Sequence, residues 1–248
     1  MQPAEPSAVA NPPGQSSNPL LGAFLGLPVI TPDKYEALAK KFESQDPAAY
    51  LPKGTHKTVV EGFHQQQKLF AQAMRYKNVT FLEHTLKTVP GGMVIFLHTS
   101  SRGTVRIDPK NPEKEPLVDY RAFTNPIDME IMVEMIRFMR RYIQGQLSSY
   151  KPVEVLPGAN LTTDAQLTEW LHDQANPSAF HPSGTAAKMP REWGGVVGED
   201  LLVWGVKNLS VIDTSIFPTL IGATTSMTVY ACAEKVSLKF RSSALLFA

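Results

Sequence analysis

The 248-residue sequence predicts a protein of mixed class, in which helices flank a block of short strands that look antiparallel. Two observations carry this. Apolar residues recur at helical spacing in several separate stretches, and between residues 79 and 107 the pattern changes to short β-branched or aromatic runs broken by Gly and Pro. A third observation bounds it: 43% of the residues are hydrophobic, enough for a genuine core in one large domain or two small ones.

Residues 1–20 are rich in Pro, Ser, Gly and Asn, lack apolar periodicity and read as a flexible N-terminal segment, which leaves 21–248 as the folded part. The apolar patch LLGAFLGLPVI that follows is shorter than a bilayer span and is interrupted by Gly22, Gly26 and Pro28. Thr31-Pro32-Asp33 reads as a helix start, with Thr31 as N-cap, Pro32 at the first helical position, and Tyr35, Leu38 and Phe42 on one face. A helix is expected over 57–76, where Val59, Val60, Phe63, Leu69, Phe70 and Met74 supply the apolar face. VTFLEHTL, MVIFLHT and GTVRID then read as strands, separated at Pro90-Gly91-Gly92 and at Ser100 to Gly103.

Asn125-Pro126 closes the strand region. The helix expected from Asp128 sets Ile131, Met135, Phe138 and Ile143 on one face, with acidic residues early and Arg137, Arg140 and Arg141 late, as the helix dipole prefers. Its methionines read as a packed face rather than a binding surface. Thr162-Thr163-Asp164 starts a further helix that stops at Asn176-Pro177.

Composition excludes some functions. A net charge of +1 and a pI near 7.8 offer no electrostatic case for nucleic acid or an anionic membrane. The N-terminus has neither a basic start nor an adequate apolar stretch, so no secretory leader is read and the expected location is cytoplasmic. Cys232 is the single cysteine. It excludes an intrachain disulfide and, within VYACAEKV, reads as a packed thiol. His56, His64, His84, His98 and His172 lack ligand-like spacing, so no metal site is expected.

The stretch from Phe180 to Lys235 carries the chemistry. FHPSGTAAKMPREWGGVV, LLVWGVKNLSVIDTSIFPT and IGATTSMTVYACAEK place a histidine loop, a short apolar strand, an Asp-Thr-Ser turn and a helix in succession. Upstream come Ser101-Arg102-Gly103-Thr104-Val105, then Pro116-Leu117-Val118-Asp119-Tyr120, then the helix from Asp128. In this order they closely resemble the C-terminal substrate domain of the glucose–methanol–choline (GMC) oxidoreductases, which oxidise alcohols with FAD. The resemblance runs from about Leu20 to Phe240 and implies an α+β architecture over 21–248, a mostly antiparallel sheet covered by helices. No Gly-x-Gly-x-x-Gly occurs among the 16 glycines, so the nucleotide-binding Rossmann half is expected to be absent and FAD to bind only if a flavin-binding half is supplied.

The resemblance places His181 at the position of the family's catalytic histidine. An imidazole suits that task because its ordinary pKa of about 6.5 lies near working pH. Removing the hydroxyl proton makes an alcohol a far better donor in hydride transfer to FAD. On its own, a loop histidine more often just bonds a backbone carbonyl; the surrounding motif favours the base. Counting from Pro218-Thr219 puts the second catalytic position at Thr224, where the family has His or Asn. Threonine can orient a substrate oxygen but is no base near neutral pH. Asp213 and Thr214 in the turn, with Thr225 at the following helix start, are implied to face the flavin, although an Asx turn would look the same. At Gly198-Glu199 the sequence departs from the family's Asp-Pro pair.

Three functions stay open. The first is the substrate part of a GMC enzyme oxidising a small or aromatic alcohol. The wording GTAAKMPREWGGVV resembles fungal members, which implies a natural-product intermediate. The second is a flavin-free cyclase, dehydratase or isomerase using His181 for acid–base chemistry. The third is a non-catalytic truncated domain. Apolar residues in SIFPTLI and VSLKF would need cover from a flavin-binding polypeptide or from a second copy in a homodimer.

Overall fold

The computed structural model describes residues 21–86 and 93–244. The expected flexible segment 1–20 and the expected break at Pro90-Gly91-Gly92 lie outside them. The chain runs β1 (Leu21–Leu25), α1 (Leu27–Ile30), α2 (Tyr35–Glu43), α3 (Lys57–Ala73), β2 (Leu82–Leu86), β3 (Val94–Phe96), β4 (Thr104–Arg106), β5 (Leu117–Asp119), α4 (Pro126–Gln146), α5 (Asp164–Gln174) and α6 (Ser226–Ala244). The architecture is α+β. All strand pairs are antiparallel, in two sheets: β1-β2-β3, with Leu25 opposite Leu82 and Leu82 opposite Phe96, and a β4-β5 hairpin with Thr104 opposite Asp119.

The N-terminal end adds one element and corrects one sequence expectation. Residues 21–25 of the apolar patch form an edge strand, since their backbone groups find partners on β2. Thr31 does not cap α2, which begins at Tyr35 with Lys34 at its N-cap. Thr31 instead closes α1, and its buried hydroxyl donates to Glu134 Oε2 at 3.3 Å. Lys34 and Arg137 reach Glu134 Oε1 at 2.6 and 3.0 Å. Burial pushes this carboxyl up, but those bonds outweigh it and hold it below its ordinary value. A tertiary partner thus outcompeted the local cap.

α4 is the central element. It starts at Pro126 rather than Asp128, because Asn125 Oδ1 accepts from the Ile127 amide at 3.1 Å and proline suits the first turn. Ile127, Met129, Ile131, Met132, Val133, Met135, Ile136 and Met139 are all buried in the main core, shared with Phe42, Phe63, Phe70, Phe81 and Leu171. The methionines are core. α5 opens with a reciprocal capping box between Thr163 and Gln166.

A second, smaller core gathers Val197, Ile216 and Phe217, with Val196, Val203, Val211, Ile221, Val229 and Cys232 packed against it. This corrects the expectation for SIFPTLI: Ile216 and Phe217 are covered from within the chain. In VSLKF, Val236 is buried. Among the described residues, no helix is long and apolar enough to cross a membrane and no group of three or more His, Cys, Asp and Glu could hold a metal ion.

Candidate active site

The histidine loop is braced by its own short polar side chains. Asn176 Oδ1 accepts from the amides of Ser178 and Ala179 at 3.2 and 2.9 Å, and the His181 amide donates to the Ser178 carbonyl at 2.9 Å. Ala179 and Phe180 both take left-handed backbone angles, φ 46° and 65°, a costly turn for non-glycine residues. It leaves the Phe180 ring 92% exposed beside the half-buried His181.

Beyond the histidine the chain zips onto the Asp-Thr-Ser turn. Gly184, Ala186 and Lys188 amides donate to the carbonyls of Thr214, Ser215 and Ile216 at 3.1, 2.9 and 2.8 Å. Thr214 Oγ1 donates to the Pro182 carbonyl at 3.0 Å, and Asp213 Oδ1 accepts from the Ser215 amide at 2.8 Å. Asp213 therefore makes the Asx turn, and the Thr214 hydroxyl is committed to the histidine loop.

The segment after Phe217 brings Thr225 to His181. Thr225 is buried, and its Oγ1 lies 2.8 Å from His181 Nδ1. The hydroxyl that meets the imidazole thus belongs to Thr225, whereas Thr224, one residue earlier, is exposed. A threonine at a helix start would ordinarily turn its hydroxyl to the second or third amide of the helix; here it turns to the ring.

Two buried residues at the back of the site had no signal in their spacing. Glu83, on β2, is 7% exposed, and its Oε2 has no hydrogen-bond partner among the described residues. Burial pushes this carboxyl up, and the nearby His181 charge partly opposes that. His98 is equally buried, ringed by Phe70 and Phe81 at 5.4 and 5.1 Å between centroids. Burial lowers it to about 4, although the Leu220 carbonyl beside it acts the other way. His98 is a neutral structural imidazole, and His181 is the half-exposed one. Only the Phe-His-Pro-Ser-Gly motif separated the two in the sequence.

The donor set fits one edge of a flavin ring. With Thr225 turned to His181, no side chain among the described residues caps the first amides of α6, so they remain for an electron-rich partner. Among the described residues no Gly-rich phosphate cradle stands beside them.

The GMC oxidoreductase family model matches residues 99–233, more than half of the chain. The dehydrogenase xptC of Emericella nidulans is 28% identical over 204 residues, which are 82% of this chain and 33% of that protein. An FAD-dependent oxidoreductase from Chaetomium thermophilum superposes with a TM-score of 0.85 at 31% identity, over 90% of this chain and 38% of that one. A fungal aryl-alcohol oxidase gives 0.82 at 32%, over 87% and 37%. The chain spans between 33% and 38% of the length of these three relatives. It belongs to the GMC oxidoreductase family, and the family match lies in the C-terminal domain.

Proposed function

We propose that residues 21–248 are the substrate-facing domain of a flavin-dependent oxidoreductase that oxidises a CH–OH group of a small or aromatic alcohol. The observation that carries this is the 2.8 Å contact between His181 Nδ1 and Thr225 Oγ1, set within the family match. With Nδ1 engaged, Nε2 is the nitrogen left to take the hydroxyl proton. Thr225 sets the ring orientation. The exposed Thr224 is available to orient the substrate oxygen, and the first amides of α6, following Asp213 and Thr214 in the adjoining turn, would face the cofactor. A bound flavin would supply the electron acceptor. Relatives named as dehydrogenases come from the fungus Emericella nidulans, and the alcohol proposed is a natural-product intermediate.

FAD would bind only with a flavin-binding polypeptide, which we propose seats on the exposed apolar side of α6. The test is a visible spectrum of the purified chain with FAD, with and without such a partner. A flavin band that stays with the chain only when the partner is present is expected, and its absence with every flavin half tried would refute the reading. His181→Gln in the assembled pair should lower kcat by roughly 10²–10⁴-fold, the usual worth of a positioned base. One observation favours a second reading, a flavin-free cyclase, dehydratase or isomerase: neither Thr224 nor Thr225 can titrate, which leaves His181 as the half-exposed acid–base group, enough for proton transfer without redox. Turnover without any flavin, abolished in His181→Gln, would select it.

A further inference from the structure

The segment that delivers Thr225 is held from outside. Among the described residues, no backbone–backbone hydrogen bond involves residues 218–224. Seven residues of irregular chain therefore lack the internal ladder that would fix where the Thr225 hydroxyl stands. Two contacts anchor the segment to the helix-and-sheet body. Gln66 Nε2, on α3, donates to the Pro218 carbonyl at 2.5 Å, and the Leu220 carbonyl lies against the His98 ring.

The Gln66 amide has one available orientation. Its Oε1 accepts from Arg102 at 3.2 Å, and a guanidinium can only donate. Its Nε2 faces a carbonyl, which can only accept, with Met189 Sδ as a further neighbour at 3.6 Å. Arg102 is itself fixed. It donates to the carbonyls of Thr99 and Ser101 at 2.8 and 3.1 Å and lies over the Phe63 ring at 5.1 Å. The turn that carries it is pinned by the buried Asp128, which accepts from the Ser100 and Ser101 amides at 2.7 Å each. A polar strut thus runs from the start of α4 through Arg102 and Gln66 to Pro218.

We infer that Gln66, held by Arg102, is a positioning residue that sets the Thr225 hydroxyl against His181. This rests on the His181–Thr225 pairing proposed above, and its test separates the two. The full chain is labelled on histidine, and the His181 ring is followed by its ring nitrogen shifts, identified by their loss in His181→Gln. Thr225→Val defines the spectrum of an unpaired ring. Gln66→Leu removes the donor at similar volume. Gln66→Glu keeps a partner for Arg102 but faces the Pro218 carbonyl with an acceptor. Both Gln66 variants are expected to move the His181 signals toward those of Thr225→Val by at least half of its displacement. Gln66→Glu should do so with a Tm no lower than that of Gln66→Leu. A merely structural Gln66 predicts the opposite: the ion pair restores the chain and leaves the His181 ring as in the wild type. His181 signals unchanged in both Gln66 variants, while Thr225→Val moves them, would overturn the positioning role alone. Signals unchanged in Thr225→Val as well would overturn the pairing and the strut's purpose with it.

Discussion

His98 and His181 carry the same side chain into opposite circumstances. His98 sits against Phe70 and Phe81 with no hydrogen-bond partner for Nδ1 among the described residues, and burial depresses it to about 4. The unfolded chain would bind this proton near pH 6.5, the folded one only near 4. Between those values the unfolded state holds more protons, so stability falls as pH is lowered through the window. The contribution is fully present above about 6.5, and on the order of 3 kcal/mol is lost by pH 4. Urea unfolding across this range should show that slope in the wild type and a flatter one in His98→Gln. Equal slopes would mean that His98 is solvated. Glu83 behaves in the opposite sense: burial raises it, so its ionised form is held at a cost that grows as pH rises.

At the scale of elements, the site depends on how closely α3 approaches the loop after the histidine. Gly62 of α3 lies against the short 3₁₀ turn Arg191–Trp193, where an added Cβ would come within 2.1 Å of the Trp193 carbonyl oxygen. In an open helix, Gly→Ala would stabilise by about 0.5–1 kcal/mol. Here the methyl meets backbone that cannot turn aside. Gly62→Ala is therefore expected to lower stability by about 2 kcal/mol, a fall in Tm of roughly 4–8 °C by calorimetry. A rise in Tm would show that helix and turn are not in register. Because α3 also carries Gln66, the same displacement should loosen the grip on Pro218.

For the whole molecule, two cores of unequal size meet at the site. The larger one, around α4, is closed by α1, α2, α3, α5 and the β1-β2-β3 sheet, and it provides Glu83, His98 and Gln66. The smaller core holds the histidine loop, the Asp213 turn and one side of α6. The other side of α6 shows Met227 and Tyr230, 81% and 77% exposed. These open apolar side chains are where the proposed flavin-binding polypeptide, or a second copy of the chain, would seat. Met227→Lys with Tyr230→Lys should leave the Tm of the isolated chain unchanged and abolish co-purification with the partner. A loss of Tm instead would place these side chains in the chain's own packing.

The positions of α3, α4 and α5 and the strands of 82–106 were legible because each rests on local periodicity or a local cap, properties that neighbouring residues determine among themselves; the α+β class came from the family resemblance. His181 was legible through the motif around it, and Asp213 through its Asx-turn chemistry. Other features were decided by residues far apart in the chain: the edge strand 21–25, the diversion of Thr31 to Glu134, the choice of Thr225 over Thr224, and the gathering of Glu83, His98 and Gln66 behind the site. Such contacts follow from which side chains the completed packing brings within bonding distance, and sequence spacing carries no trace of that.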